Sequence, residues 1–158
     1  MRIFAFLTFL KTMYQTLLDL HSYIAFAVLG LLLIAIINAF AGLSAKRAFN
    51  ANDRKISLIA LAFSHTQMVI GLVMLFMSPY METAKQSGMG AIMKNPDLRL
   101  KVIEHPLINI IAIVLITIGW SKHKKEINDT NKFKRIAYLY AIAFVLLLSR
   151  IPWSQWLS

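Results

Sequence analysis

Residues 101–125 read KVIEHPLINIIAIVLITIGWSKHKK, an apolar run with an acid and a histidine at its head and a basic cluster at its foot. No charged residue stands between Pro106 and Trp120. A helix rising about 1.5 Å per residue needs ~20 apolar residues to cross a hydrocarbon core of ~30 Å, a length this run reaches once residues 101–103 are included. The stretch therefore predicts a transmembrane helix at residues 101–121. Glu104 and His105 then fall just inside one membrane face, where ionisable side chains are expensive and usually have a partner or a task.

Working outward, residues 21–43 (HSYIAFAVLGLLLIAIINAFAGL) and 56–78 (ISLIALAFSHTQMVIGLVMLFMS, stopped by Pro79) form two earlier apolar runs. A further run starts at Ile136 and continues through Ser149 and Arg150 to Trp153, with Trp156 beyond it as an interfacial anchor. The expected architecture is all-α, a polytopic membrane protein forming one four-transmembrane-helix domain with spans near 21–43, 56–78, 101–121 and 136–153. Residues 1–20 carry Phe4, Leu7, Leu10, Tyr14 and Leu17 at helical spacing, which predicts an interfacial or extending helix. Asn38 inside the first span needs a hydrogen-bond partner, and Asp53 suits the N-cap or first turn of the second. Residues 79–100 read as the longest loop, with Gly88, Gly90 and Pro96 as breakers and Asn95-Pro96-Asp97 as a helix start.

The composition agrees with a membrane protein. Of 158 residues, 58% are hydrophobic and 15% charged, and the mean hydropathy is +0.63. The formal net charge of +10 sits in the connections between apolar runs, which suits anionic headgroups and gives no expectation of nucleic-acid binding. The first and third connections hold ten of the 17 Lys and Arg residues, which puts both in the cytoplasm and both termini outside. The chain has no cysteine, which excludes disulfides, thiolate metal sites, iron–sulfur clusters and thioether-linked haem. No GxSxG, HExxH, Walker or GxGxxG motif is present, so hydrolase, transferase and nucleotide-binding chemistry are not expected.

On this topology His21, Glu104, His105 and Arg150 all lie in the outer halves of three different spans. His65 lies deeper, within the polar block Ser64-His65-Thr66-Gln67, whose members cannot all face one neighbour because successive residues turn ~100°. Two histidines on facing helices are what bis-imidazole ligation of a b-type haem requires, with Arg150 as a cation for the propionates. Vertical counting puts His105 roughly 10 Å from either His65 or His21 and leaves its partner open. Each residue also has a plainer reading. His21 suits an interfacial side chain; His65 an interhelical hydrogen bond to Asn109 or Thr117; Glu104-His105-Pro106 a helix cap; and Arg150 a neutralising partner for Glu104. His123, among lysines, is expected to be solvated.

Several motifs together, HSxxxxxxVLxLLLI, DRK, SHTQxxxGLxxxFxSP, VIEHPLxxxIAIVLITIGWSK and LLSRIPW, resemble a family of small bacterial four-span membrane proteins that carry the label cytochrome B. The likeness covers residues 13–153 and is most specific in EHP with IAIVLITIGWSK and in SHTQ. Ala25 departs from it, standing where the family often has a basic residue. The resemblance implies haem b, ligand candidates at His21, His65 and His105, and Arg150 as the SRIPW arginine. The leading expectation is electron transfer to or from a quinone or partner oxidoreductase, with a second copy of the chain as a further partner class. Two rival readings are a non-catalytic subunit whose polar groups hold helices together, and a small transporter or divalent-metal site using Glu104, His21 and His105 with Asp19 nearby.

Overall fold

The computed structural model describes residues 2–156, and all of its regular structure is helical. Helix α1 spans Arg2–Ser44, α2 Ala51–Met77, α3 Pro79–Lys94, α4 Pro96–Arg99, α5 His105–His123, α6 Asp129–Ser149 and α7 Trp153–Trp156. A π-helical turn, Leu100–Glu104, joins α4 to α5. Three helices are long and apolar enough to cross a membrane: Thr8–Ser44 within α1, all of α2, and the composite Pro96–His123. Helix α6 has Lys132, Lys134 and Arg135 in its first two turns, and its uncharged part begins only at Ile136.

Helix α1 packs on α2 and α6, and α5 packs on the same two, so the four stand in a ring with α1 diagonal to α5. Their common core is rich in alanine, with Ala35, Ala39, Ala60, Ala112, Ala137 and Ala143 all buried. Small side chains let helix backbones approach closely, which is the main source of cohesion where lipid is as apolar as the helix surface. Two glycines mark close contacts with α6. A Cβ on Gly119 of α5 would lie 3.1 Å from the Arg135 carbonyl of α6, and one on Gly42 of α1 would overlap the buried Phe133 ring. Gly30, by contrast, has nothing within 4 Å of an added Cβ. Gly42→Ala is therefore expected to destabilise the fold by about 1–3 kcal/mol through overpacking. Gly30→Ala is expected to be neutral or stabilising by about 0.5–1 kcal/mol, since only helix propensity changes. Thermal unfolding of the two variants in detergent checks the contrast.

A polar knot closes the α1–α2 connection. Arg47 grips both oxygens of Asp53, at 2.6 and 2.7 Å, and Asn38 donates to the same carboxylate at 2.8 Å. Asn50 is the N-cap, and Asp53 completes a capping box by accepting from the Asn50 N–H at 2.9 Å. The paired hydrogen bonds hold the Arg47 guanidinium above its ordinary range. Asp53 is thus a first-turn acid rather than the cap, and it supplies the partner that Asn38 requires. One turn on, the buried Tyr140 hydroxyl of α6 donates to the Ser57 carbonyl at 3.0 Å.

Two expectations change, and a third narrows. Residues 79–94 are helical rather than loop: Ser78 caps α3 through the Met81 N–H, Pro79 fits the first turn, and Gly88 kinks the helix at φ 74 instead of ending it. Of the two readings of residues 1–20, the extending helix holds for residues 2–20, which continue into the first span and make α1 a 43-residue helix about 64 Å long, more than a bilayer core needs. The helix through residues 101–121 starts earlier, where the Asn95 side chain caps Asp97 and Leu98, so Glu104 does not cap it.

Candidate functional site

Pro106 sets the local geometry around His105. A proline ring clashes with the carbonyl four residues back and supplies no N–H, so an α-helix cannot run through it unstrained. Here the chain widens to a π turn just before it, and the His105 N–H reaches back to the Leu100 carbonyl. Such turns re-aim side chains and recur at functional sites. The His105 ring meets the end of α6: its Nδ1 lies 2.7 Å from the Arg150 carbonyl and donates to it. That leaves Nε2 as the acceptor nitrogen, 2.9 Å from the Asn109 amide one turn along.

From the diagonal helix, His21 brings its ring to 6.4 Å from that of His105, centroid to centroid, in an edge-on arrangement. Gly71 of α2 makes the room, since a Cβ there would lie 3.0 Å from His21 Cε1. Gln67 of α2 fastens the same level by donating to the His21 carbonyl at 2.8 Å. The layer is under-satisfied: His21 Nδ1, Gln67 Oε1 and Asn109 Oδ1 are buried without a hydrogen-bond partner. Buried polar atoms without partners are costly and call for an explanation such as a bound group or water. The tightly packed alanine core lies on the other side of this layer, from Val28 towards the α1–α2 connection.

Glu104 sits beside the histidine layer. Arg99 binds its carboxylate at 2.7 Å, and Arg150 approaches it at 3.4 Å. Arg150 thus serves as a partner of Glu104 and also lends its backbone carbonyl to His105. The C-terminal turn folds back over this end, with Trp156 stacked on Phe26 of α1 at 4.2 Å.

The remaining sequence candidates lie elsewhere. His65 is tied within the bundle, its Nδ1 to the Leu61 carbonyl at 3.0 Å and its Nε2 to the Thr117 hydroxyl at 3.3 Å. Thr117 is one of the two hydrogen-bond partners its sequence position offered. Thr117→Val is expected to cost only about 0.6 kcal/mol in an unfolding measurement, the usual value of one interhelical bond in a membrane. Asp19 is bonded to Gln15 on its own helix, and among the described residues no three His, Asp or Glu side chains gather.

His123 is a correction. It is 2% exposed, lies against Trp120 and Phe49 at 4.6 and 5.4 Å, and has a buried, unpartnered Nδ1. The three-residue spacing from Trp120 already put the two on one helix face, but the lysine-rich neighbourhood concealed it. Nearby, Asp129 opens α6, and its carboxyl is held below the usual range first by the Lys132 hydrogen bond and then by the Phe49 backbone.

No family model, curated protein or solved structure matches this chain.

Two imidazoles on one metal, each nitrogen about 2 Å from it, have ring centres roughly 6 Å apart. The His21–His105 separation of 6.4 Å is of that size. The orphaned His21 Nδ1 and the His105 ring oriented by the Arg150 carbonyl suit two imidazoles sharing one group, for which Asn109 would have to release the His105 Nε2.

Proposed function

We propose that the chain is a four-span protein of the bacterial inner membrane that binds a b-type haem between His21 and His105 and transfers electrons to or from a quinone or partner oxidoreductase. The observation that carries the reading is the meeting of these two imidazoles across the bundle, with His105 oriented by a backbone carbonyl. Bound haem supplies reversible one-electron chemistry, while the protein supplies ligands, orientation and a low dielectric. Arg150 is the cation for the propionates, and Glu104 then keeps Arg99 as its partner.

Two facts support α6 as the fourth span. It packs along both α1 and α5, and Lys132, Lys134 and Arg135 lie at its foot, where long cationic side chains reach water from a membrane edge. An even number of spans with basic α1–α2 and α5–α6 connections puts both termini outside. Purified protein from haem-supplemented membranes is expected to show a Soret band that shifts on reduction with dithionite. Protein that remains colourless after haem titration sinks the proposal.

A second reading, pure helix cohesion, is favoured by one observation: both nitrogens of His105 already have protein partners. It predicts that His105→Ala lowers stability and changes no spectrum.

A further inference from the structure

At the opposite end of the bundle from His21 and His105, the flank between α5 and α6 holds a groove of about 410 Å³ lined by Ile118, Lys122, Asn131, Lys134, Arg135 and Tyr138. Its polar and apolar residues are sorted along the helices. Lys122, Asn131, Lys134 and Arg135 stand towards the α5–α6 connection, while Ile118 and Tyr138 stand one turn deeper. The deeper part continues along α6 through Ile142 and Val145, which line an apolar groove of about 300 Å³. Tyr138, Ile142 and Val145 follow at four- and three-residue spacing, so they form one exposed stripe of the helix.

The charges at the head of the groove are incompletely compensated. The two acids of this connection are already engaged, Glu126 by Arg135 at 2.7 Å and Asp129 by Lys132 at 2.7 Å. Lys122 and Lys134 are exposed and form no ion pair among the described residues. Paired ammonium groups beside an asparagine amide suit a phosphate, and an apolar stripe leading away from them suits an acyl chain. Basic pockets between membrane helices on the cytoplasmic side bind anionic lipid headgroups in this way.

We propose that the α5–α6 groove is a binding site for one acidic phospholipid, with its phosphate held between Lys122 and Lys134 and an acyl chain lying along Tyr138, Ile142 and Val145. The site rests on the membrane placement of α5 and α6 and is independent of the haem.

Native mass spectrometry of the full-length protein in detergent, with phosphatidylglycerol and phosphatidylcholine at equal concentration, tests it. Phosphatidylglycerol is expected to be retained preferentially. The Lys122→Gln/Lys134→Gln double variant is expected to lose about thirtyfold in its affinity, near fivefold for each lysine at a membrane surface. Both side chains are exposed, and circular dichroism with size-exclusion chromatography verifies that the variant is folded. The Lys85→Gln/Lys94→Gln variant, altered in α3, is expected to bind as the parent does. Equal retention of the two lipids, or undiminished phosphatidylglycerol binding by the Lys122/Lys134 variant, overturns the proposal. Displacement of the lipid by millimolar inorganic phosphate also overturns it, because the ligand is then a free anion.

Discussion

On the proposed haem site, His21→Ala and His105→Ala are each expected to abolish the haem spectrum, whereas His65→Ala leaves it in place. The contrast follows from position. The rings of His21 and His105 face one another from diagonal helices, while His65 is held by Leu61 and Thr117 about three turns along α5 from His105. Loss of an outer-shell partner of a metal ligand typically costs about 10–100-fold in affinity, and loss of the ligand itself costs more. Gln67→Leu and Asn109→Leu, which alter neighbours of the two rings, are expected in the smaller range. Difference spectra under haem titration, with circular dichroism to verify folding, rank the variants. Equal spectra from the His65 and His105 alanine variants would leave helix cohesion as the better account of this layer.

Asp53→Ala is expected to be strongly destabilising, at about 2–3 kcal/mol. The carboxylate is 2% exposed and accepts from Arg47, Asn38 and the Asn50 N–H. Its removal leaves a guanidinium, an amide and the Asn50 N–H without their acceptor. Total stabilities of about 5–15 kcal/mol make such a loss a large fraction of the whole. Arg47→Ala is expected to cost at least as much, because it leaves the buried Asp53 carboxylate with only Asn38 and the Asn50 N–H as partners. Asp53→Asn, which keeps the shape and some of the hydrogen bonds, should fall between wild type and alanine. Thermal unfolding in a fixed detergent measures the series. A loss below about 1 kcal/mol for Asp53→Ala would mean that the knot is incidental to the fold.

Both predictions concern residues whose type pointed to a role before their partners were known. Asn38 within an apolar run signalled a need for a partner, but the partner, Asp53, lies across a connection. Asn95-Pro96 marked a helix start correctly, because capping depends only on neighbouring residues. The segment 79–94 was missed because breakers counted by identity do not reveal that Gly88 absorbs a kink while the flanking residues stay helical. His123 was missed because charged neighbours on one helix face say nothing about Phe49, which reaches it from another connection.

The apolar stretch 101–125 and its companions established on their own that the protein is helical and suited to a bilayer, since run length and polarity are local quantities that the hydrocarbon thickness converts into structure. Which histidine faces His105 lay beyond them. Height along a helix left His21 and His65 equally distant. Only the ring order of the four helices, the space at Gly71 and the π turn before Pro106 bring the His21 imidazole to 6.4 Å. Those are properties of packing between segments, and no single segment contains them.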